Sequence, residues 1–388
     1  MTQIPNSDID LYSDHTLQNT QAVYRQLRSI GPVVYLRENA LYAITHFDAV
    51  RAALRADDVL LNGEGVAANE IINGAPKDTT LTSDGEAHTR RRNILRRPLV
   101  PNSLKALKDE VEQTADALVK ELLARESFCG VADFASALPI SIVANLVGLS
   151  DQGRERMLDW AAATFNALGP LNPRCEEALP VALQAVEFVN QLTPDMVKED
   201  GWAYRVLMSA EEGELTQVEA CMMVMDYVAP SLDTTILATA HMLWRLGTTP
   251  GAYDTLRANP DLIESTVGET VRIASPIRCF TRYVQADYEL AGCTIPAGSR
   301  AAVLYASGNW DEQHYDGADQ FRLDRNPRDQ IGWGHGVHTC AGMHLARLEM
   351  ESLLRAMICH VQEIEVGQPE YLMNNVLQGF TALPASFN

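Results

Sequence analysis

The sequence predicts a mainly α-helical fold with small β-sheets, formed as a single domain over residues 1–388. Two observations predict this fold class. Apolar residues recur at helical spacing from about residue 104 to residue 246. Short apolar runs broken by turn residues are confined to smaller stretches near residues 33–45 and 288–304. Hydrophobic residues make up 46% of the chain, which is typical of a packed globular protein.

Two stretches carry the predicted strands. Val33–Leu36 and Leu41–Thr45 are short apolar runs that flank four turn-forming residues, and they predict a hairpin. Residues 288–304 form a second β-rich stretch, interrupted by Gly292 and Pro296.

A long helix is predicted to begin at Thr216, which forms a capping box with Glu219, and to continue to about Leu246. A helix of that length spans about 45 Å. Pro230 lies near its middle and has no N–H to donate to the turn before it, so a kink or groove is expected there. Polar residues follow this proline at positions 233–235.

The last third of the chain alternates helix and irregular structure. Asn259-Pro260 predicts a helix start that Asn259 caps, and Ser275-Pro276 predicts its end. Residues 309–330 lack periodicity and are rich in Asp, Arg and Gly. A glycine-rich loop follows and runs into a final helix over Ala341–His360.

Charge and composition exclude several classes of protein. The net charge of −20 argues against a nucleic-acid partner. No stretch of about 18 apolar residues is evident, so no membrane span is expected. The segment Met1–His15 is polar and acidic, unlike a signal peptide. The seven cysteines are scattered without a CxxC pair, which disfavours a disulfide framework. We expect a cytoplasmic monomer.

Five arginines form a basic island in this acidic chain, at positions 90, 91, 92, 96 and 97, next to His88. The island has two interpretations. It is either an ordinary solvated helix face or a patch that receives an acidic electron donor, and the acidity of the rest of the chain favours the second.

Cys340 lies in the loop that precedes the final helix. Gly334, Gly336 and Gly342 allow the backbone to wrap closely around its sulfur. A thiolate at a helix N-terminus is stabilised by unpaired N–H groups and by the helix dipole. A buried thiolate of this kind is the proximal ligand that a haem iron needs for O–O bond cleavage.

This loop resembles the haem-binding loop of the cytochrome P450 family, F-x-x-G-x-x-x-C-x-G. It reads Trp333, Gly336, Cys340 and Gly342, with Trp in place of the family's Phe beneath the sulfur. The resemblance implies a triangular-prism-shaped single domain around a buried haem b, with Cys340 as the iron ligand. The indole N–H of Trp333 is an additional donor that could perturb the sulfur.

The polar residues after Pro230 resemble the family's A-G-x-D-T motif. Asp233 and Thr234 match it, whereas Ser231 stands where the family commonly has Gly. The resemblance implies that Thr234 hydrogen-bonds bound dioxygen or an ordered water and that Asp233 relays protons. The alternative is a kinked core helix with no such role.

Further motifs match family residues that support the cofactor. Glu269 and Arg272 match E-x-x-R, a buried structural pair tied to the following irregular segment through Arg322 or Arg325. Four residues resemble the family's haem propionate contacts: His88, Arg92, Arg282 and His338. Arg278 is an alternative to Arg282. A zinc site formed by His335, His338, Cys340 and His344 is a weaker alternative interpretation.

The same resemblance implies a distal cavity suited to a hydrophobic or aromatic molecule. Seven residues are expected to line it: Phe165, Leu168, Met225, Ala229, Ile277, Phe280 and Phe380. Plain core packing is the alternative for each of them. Residues 31–36, 165–170 and 374–379 are locally similar to the bacterial subfamily that demethylates or hydroxylates para-substituted benzoates. That subfamily grips the substrate carboxylate with Arg and Ser, but residues 75–80 contain no Arg. Lys77 or Arg278 could substitute.

The predicted function is that of a haem-thiolate monooxygenase that inserts one oxygen atom from O2 into an apolar, aromatic small molecule. The resemblance implies electrons from a ferredoxin and an NAD(P)H-dependent ferredoxin reductase, because the 388 residues leave no room for a fused flavin domain. Three alternatives stay open: a terpenoid hydroxylase, a peroxide-using haem-thiolate enzyme, and a non-catalytic haem sensor or carrier.

Overall fold

A computed structural model describes residues 3–75 and 77–388. Met1, Thr2 and Pro76 lie outside the described residues, so the predictions for the N-terminal segment and for the loop at 75–80 are addressed only in part. The helices are α1 Asp14–Gln18, α2 Thr20–Ile30, α3 Phe47–Ala53, α4 Glu70–Asn73, α5 Gly85–Leu95, α6 Pro101–Leu104, α7 Lys108–Leu123, α8 Ala144–Val147, α9 Asp151–Ala167, α10 Pro173–Asn190, α11 Trp202–Glu211, α12 Gln217–Val228, α13 Asp233–Thr248, α14 Ala252–Ala258, α15 Ile263–Ala274, α16 Tyr305–Asn309 and α17 Met343–His360.

The strands are short and lie mostly outside the helical middle of the chain. They are β1 Asn6–Ser7, β2 Val33–Leu36, β3 Leu41–Ile44, β4 Leu60–Leu61, β5 Phe128–Cys129, β6 Phe280–Val284, β7 Tyr288–Leu290, β8 Cys293–Ile295, β9 Arg300–Val303, β10 Ile364–Val366, β11 Glu370–Tyr371, β12 Phe380–Ala382 and β13 Pro384–Phe387. The mainly helical fold with small sheets is therefore confirmed.

The largest sheet has six strands in the order β1-β2-β3-β9-β6-β4. Its β2–β3 hairpin is antiparallel, with Val33 opposite Ile44 and Leu36 opposite Leu41, as the sequence predicts. β9 joins β3 in parallel and β6 in antiparallel register. This sheet carries β6, the strand that holds Phe280 and Arg282.

The predicted long helix is interrupted rather than continuous. Thr216 and Glu219 form the predicted capping box of α12, which ends at Val228. α13 begins at Asp233, so residues 229–232 separate the two helices at Pro230. The cause is the one expected from the sequence, since proline cannot donate a backbone hydrogen bond.

The helix that carries Glu269 starts differently from the prediction. Pro260–Leu262 form one turn of 3-10 helix, and α15 proper begins at Ile263. The Asn259 side chain makes no capping hydrogen bond, so its predicted capping role is wrong. The helix ends as predicted at Ser275, which adopts a left-handed conformation with φ of 36°.

One helical stretch, residues 130–147, is long and apolar enough to cross a membrane by length and composition, with a mean hydropathy of 1.6 over its 18 residues. The expectation that no such stretch exists is therefore wrong. Over half of it, 56%, is buried inside the protein. Phe134, Leu138, Val143 and Val147 belong to the main hydrophobic core, as in the interior helix of a globular protein.

Candidate active site

A backbone hydrogen bond and two glycine conformations hold the Cys340 loop in shape. The Cys340 N–H donates to the Trp333 carbonyl oxygen at 2.7 Å. Gly334 and Gly336 have φ values of 72° and 75°, which residues with a side chain rarely adopt. A Cβ at position 336 would also lie 2.3 Å from the carbonyl oxygen of Leu54, so only glycine fits where the loop passes α3.

The Cys340 side chain is accessible to solvent, yet many protein atoms surround its sulfur. Burial raises the pKa of the Cys340 thiol. The backbone N–H groups of Gly342 and Met343 and the charge of Arg92 oppose that effect and favour the thiolate. Arg92 is anchored here because its guanidinium donates to the carbonyl oxygen of Thr339. The loop thus presents a sulfur equipped to be an anionic ligand.

Trp333 is partly buried and packs against the main hydrophobic core, as do Ala341 and Leu348. Within residues 3–75 and 77–388, its indole N–H makes no hydrogen bond. Its effect on the sulfur stays a prediction.

The four predicted propionate residues are brought together. The rings of His88 and His338 lie 4.2 Å apart between centroids, and the Nε2 atoms of both are buried without a partner among the described residues. Arg92 and Arg282 are close enough to influence the pKa of His338. Burial lowers the pKa of His88 to about 4, assisted by the charges of His338 and Arg92. In this cluster the two histidine Nε2 atoms have no hydrogen-bond partner among the described residues, whereas both arginines donate to protein oxygens.

Arg282, not the alternative Arg278, belongs to this cluster. Arg282 is buried on β6 and donates to the Tyr305 hydroxyl at 3.1 Å and to the Thr281 carbonyl oxygen at 2.8 Å. Arg278 instead donates to the Asn374 carbonyl oxygen.

Sequence reasoning missed two neighbours of the cluster. Tyr305, at the start of α16, receives the Arg282 hydrogen bond. Asp84 accepts from the backbone of Asn62 and Gly63 at 3.1 and 2.6 Å and lies 3.9 Å from His338 Nε2. Asp84 precedes α5, so its position before a helix was a usable signal, whereas nothing in the sequence marks Tyr305.

These residues fit a thiolate-ligated haem. The two propionates of haem need cationic or donor partners, which the unpartnered Nε2 atoms and the two arginines offer. The iron needs an anionic sulfur supported by N–H donors, which the Cys340 loop supplies.

The break between α12 and α13 holds the predicted acid and alcohol. The Thr234 hydroxyl donates to the Pro230 carbonyl oxygen at 2.8 Å. One carboxylate oxygen of Asp233, Oδ2, is buried and has no partner in the described part of the chain. Burial raises the pKa of Asp233 to about 7. A carboxyl group of this pKa can hold or release a proton near neutral pH.

Glu269 and Arg272 form a fully buried pair on α15, with Arg272 Nε 2.7 Å from Glu269 Oε2. Arg272 also donates to the carbonyl oxygens of Asn309 and Ala318 at 2.7 and 2.8 Å. Both residues named by the sequence as partners reach Glu269, Arg325 through its side chain at 3.0 Å and Arg322 through its backbone N–H at 3.1 Å. The pair therefore ties α15 to the irregular segment that precedes the Cys340 loop.

Comparison with known proteins identifies the family. The family described as Cytochrome P450 matches residues 157–377. Cytochrome p450 CYP199A2 of Rhodopseudomonas palustris (strain ATCC BAA-98 / CGA009) is 32% identical over 387 residues, which cover 98% of this chain and 94% of the relative. The chain belongs to the cytochrome P450 family. Its cofactor is thus haem bound through a thiolate, and its activity is that of a P450 monooxygenase.

More distant P450 relatives share the architecture. The Beta-dihydromenaquinone-9 omega-hydroxylase of Mycobacterium tuberculosis (strain ATCC 25618 / H37Rv) is 28% identical over 97% of this chain and 78% of the relative. The structure of Mycobacterium marinum cytochrome P450 CYP268A2 in complex with pseudoionone matches with a TM-score of 0.86 and 26% identity, covering 100% of both chains.

The structure divides the predicted substrate residues of this P450 between two hydrophobic clusters. Phe165, Leu168, Ile277 and Phe280 lie together. Leu237 and Leu377 join them, although sequence reasoning did not name either as a lining residue. Leu237 was detectable, because it follows Thr234 by three positions and so shares its helix face.

The remaining predicted lining residues belong to the main helical core. Met225 and Phe380 are buried there, and Ala229, at the helix break, packs against this core. Phe380 stacks on the His241 ring at 5.1 Å between centroids and meets the Trp244 ring edge-on at 5.4 Å. These three residues belong to a different hydrophobic cluster from Phe165 and Phe280.

Three of the five arginines of the basic island form ion pairs with acids, and the docking of an electron donor there stays a prediction. Arg90 and Arg91 contact Glu219 at 2.6 and 2.9 Å. Arg97 pairs with Glu214 at 2.8 Å. Only Arg96 of the five is exposed without an ion pair to a described residue. The sequence alone did not identify these acids as partners, because Glu219 lies on α12 and Glu214 lies in the turn before it.

The zinc interpretation finds no geometry to support it. Among the described residues, no three His, Cys, Asp or Glu side chains converge as metal ligands. His335 instead accepts from Arg55 Nε at 2.7 Å.

Proposed function

We propose that this P450 hydroxylates or O-demethylates an apolar, aromatic small molecule, using O2 and electrons from a ferredoxin in the cytoplasm. The observation that carries the substrate assignment is the apolar cluster to which Phe165, Phe280, Ile277 and Leu377 belong together with Leu237, which lies one helical turn beyond Thr234. Two aromatic rings and three aliphatic side chains favour an aromatic or aliphatic guest over a charged one.

The charges near the distal loop support a neutral substrate rather than a carboxylate. Lys77, a candidate carboxylate partner, pairs with Glu64 at 3.4 Å. Arg91 is occupied by Asp78 at 3.1 Å and by Glu219. Arg278, the other candidate, is buried and directed to the Asn374 carbonyl oxygen. A substrate carboxylate would have to displace an existing partner from any of these cations.

Haem, when bound, supplies the oxygen-activating chemistry. The protein's own contribution on the distal side is proton handling and exclusion of water. Asp233 holds a proton near neutral pH at the helix break. The Thr234 hydroxyl, held by the Pro230 carbonyl oxygen, stands next to it as the group that hydrogen-bonds the oxygen substrate.

The ferredoxin assignment is supported by cations near the Cys340 loop. Arg51 lies on α3 and Arg55 just after it. Their Nε atoms donate to His335 Nε2 at 3.4 and 2.7 Å. Neither forms an ion pair with an acid among residues 3–75 and 77–388. A donor that carries acidic surface groups would find its complementary charge here rather than on α5.

A terpenoid is the second candidate substrate. The observation in its favour is that the relative from Mycobacterium marinum, which matches over the whole chain, was solved with pseudoionone. The same charge-free lining accepts such a molecule, so aromatic and terpenoid probes must be compared directly.

The test is a spin-state titration of haem-loaded protein with ethylbenzene, 4-ethylbenzoate and pseudoionone, followed by turnover with ferredoxin, reductase and NADH. We expect ethylbenzene to shift the spin state at lower concentration than 4-ethylbenzoate and to yield a hydroxylated product. Preference for the benzoate overturns the neutral assignment. Turnover with hydrogen peroxide alone, at a rate equal to that with ferredoxin, overturns the electron-donor assignment.

A further inference from the structure

Side-chain amides from two distant parts of the chain hold the loop that joins α9 to α10, residues 168–172. The loop leaves α9 through Leu168, which packs against the apolar cluster that contains Phe165 and Phe280. Its other end is Asn172, the N-cap residue of α10. Whatever fixes this α9–α10 loop therefore also fixes part of the wall of the proposed substrate site.

Asn69 holds the loop from the start of α4. It is 6% exposed, and its Oδ1 caps α4 by accepting from the Ile72 N–H at 2.9 Å. Its amide nitrogen, Nδ2, donates across to the carbonyl oxygens of Ala167 and Gly169 at 2.8 and 2.6 Å. The oxygen of this side chain thus serves its own helix, and the nitrogen serves the end of α9 and the loop.

Asn375 holds the loop from the C-terminal part of the chain, and it is fully buried. Asn172 Nδ2 donates to Asn375 Oδ1 at 2.9 Å, and Asn375 Nδ2 donates back to Asn172 Oδ1 at 3.1 Å. Asn375 Nδ2 also donates to the Asn166 carbonyl oxygen at 2.9 Å, and its Oδ1 accepts from Arg174 Nε at 3.1 Å. Two donated and two accepted bonds are the full capacity of an asparagine amide.

Gly169 allows the loop backbone to pack directly on Asn375. A Cβ at position 169 would lie 2.3 Å from Asn375 Nδ2 and 2.4 Å from its Cβ and Cγ. A side chain at this position would therefore push the loop away. The chain continues from Asn375 into Val376 and Leu377, which are buried in the same apolar cluster as Phe280.

These amides connect three segments that each pack a side chain in or against the apolar cluster, namely Val66, Leu168 and Leu377. Apolar contacts are non-directional, so they do not by themselves fix how such segments sit against one another. Hydrogen bonds have a preferred length and angle, and a buried amide that loses its partners is unfavourable. The amides therefore select one arrangement of the three segments.

We propose that Asn69, Asn172 and Asn375 are positioning residues of the substrate site. They hold the α9–α10 loop against the apolar cluster, and they thereby keep the substrate in place and exclude water. The inference rests on the proposed function, because it assigns the same apolar cluster as the place that the substrate occupies. The three residues act through the loop rather than on the reacting atoms.

Serine separates the two roles of Asn69 and Asn172. Both residues cap a helix through Oδ1, Asn69 on the Ile72 N–H and Asn172 on the Cys175 N–H. A serine hydroxyl caps a helix about as well as an asparagine oxygen, but it has no amide nitrogen. Asn69→Ser and Asn172→Ser should therefore keep both helices capped and remove the bonds that fix the loop.

Asn39→Ser is the matched control. Asn39 also joins two distant segments, since its Nδ2 donates to Asp10 Oδ1 at 2.7 Å and its Oδ1 accepts from the Leu11 N–H at 2.9 Å. Leu11 belongs to a different hydrophobic cluster, the one that contains Tyr24. The control thus removes comparable bonds from a region outside the proposed substrate site.

The experiment has two readouts, made on haem-loaded wild type, the two single loop variants, their double variant and the control. Steady-state turnover of ethylbenzene with ferredoxin, reductase and NADH gives KM, kcat for NADH consumption, and the product formed per NADH. Hydrogen exchange of the ligand-free proteins, followed by mass spectrometry, gives the protection of residues 166–172. The thiolate absorption band shows that the haem site is intact.

We expect KM to rise in each single variant and by about tenfold or more in the double variant. The kcat should stay within about twofold of wild type, because Asp233 and Thr234 are unchanged. Product per NADH should fall, since water reaches the site more easily. Residues 166–172 should exchange faster in the loop variants, and Asn39→Ser should match wild type in all of these measurements.

A KM of the double variant within about twofold of wild type, or unchanged exchange at residues 166–172, overturns the inference while the proposed function stands. An equal rise of KM in Asn39→Ser overturns it too, because a general loss of stability then explains the effect. If the double variant does not retain haem, the single variants carry the same comparison. If wild type does not turn over ethylbenzene, the proposed function fails, and the exchange measurement alone decides whether these amides hold the loop.

Discussion

Asp233 and Thr234 are adjacent in sequence, yet their side chains differ in whether they have a hydrogen-bond partner. The Thr234 hydroxyl donates to the Pro230 carbonyl oxygen at 2.8 Å, whereas Asp233 Oδ2 is buried without a partner in the described residues. The difference follows from the helix break, because the carbonyl of Pro230 is left available where the regular hydrogen-bond ladder is interrupted. The break thus orients the alcohol and leaves the acid available for proton exchange.

Replacing Asp233 by Asn should slow turnover by about 100-fold, since an amide of equal size cannot supply a proton. Substrate affinity should stay within about twofold of wild type, because Asp233 makes no contact that holds the substrate cluster. The wild-type rate should fall as pH rises through about 7, where the acid loses its proton, and the variant should lack that inflection. Steady-state rates from pH 5.5 to 8.5 measure both effects.

Thr248→Val is the matched control, since Thr248 lies on the same helix with its hydroxyl on the Trp244 carbonyl oxygen at 2.7 Å. Its rate should equal that of wild type. An Asn variant that keeps both the rate and the inflection would show that protons arrive by another route.

Gly336→Ala should destabilise the Cys340 loop and weaken haem retention. The added Cβ meets the Leu54 carbonyl oxygen at 2.3 Å, and φ of 75° adds strain. Gly298→Ala is the control, because Gly298 has φ of 80° but nothing within 4 Å of its Cβ position. We expect Gly298→Ala to cost about 1–2 kcal/mol of unfolding free energy and Gly336→Ala clearly more. Equal losses, measured by denaturant unfolding and haem absorbance, would contradict the clash.

The elements of this fold that depend on local chemistry were predictable from sequence. The hairpin at residues 33–44, the capping box at Thr216 and the helix end at Ser275 each follow from a few adjacent residues. The Asn259 cap failed because a 3-10 turn intervened before α15.

The elements that depend on distant partners were not predictable from spacing alone. The arginines of α5 look like a free patch until Glu219 and Glu214 are seen beside them. Tyr305 joins the histidine cluster only because β6 and β9 pair in the sheet. Asp226 lies in an apolar stretch of α12, but its loop partner Thr80, whose backbone N–H donates to Asp226 Oδ2 at 2.7 Å, is 146 residues away in the sequence.

Glu269→Gln should lower the free energy of unfolding by about 3–5 kcal/mol, because it leaves the buried Arg272 charge without its anion. Both side chains have 0% exposure, so no solvent compensates. Glu112→Gln removes the exposed ion pair with Lys108 and should cost less than about 0.5 kcal/mol. Urea unfolding of both variants measures the contrast. A loss for Glu269→Gln as small as that for Glu112→Gln would mean that Arg272 is held by its carbonyl partners alone.

Glu349→Gln should stabilise the protein above neutral pH. Glu349 lies on α17 with 1% exposure, and its Oε1 has no partner among the described residues. Burial raises its pKa from the ordinary 4.5 to about 8, so the folded state prefers the protonated acid. Below about pH 4.5 the acid is protonated in both states, and the free energy of unfolding is not reduced by Glu349. As the pH rises through about 8, this stability is lost because the buried carboxyl must ionise.

The difference between Glu349→Gln and wild type should thus grow from near zero at pH 4.5 to on the order of a few kcal/mol at pH 8. Glu351→Gln, two residues along the same helix, removes only a partly exposed ion pair with Arg355 and should show no such growth. Urea unfolding at pH 5, 6.5 and 8 gives the comparison. A constant difference across this range would show that Glu349 keeps an ordinary acidity in the folded state, which requires a bound water or ion beside its carboxylate to offset the loss of solvation.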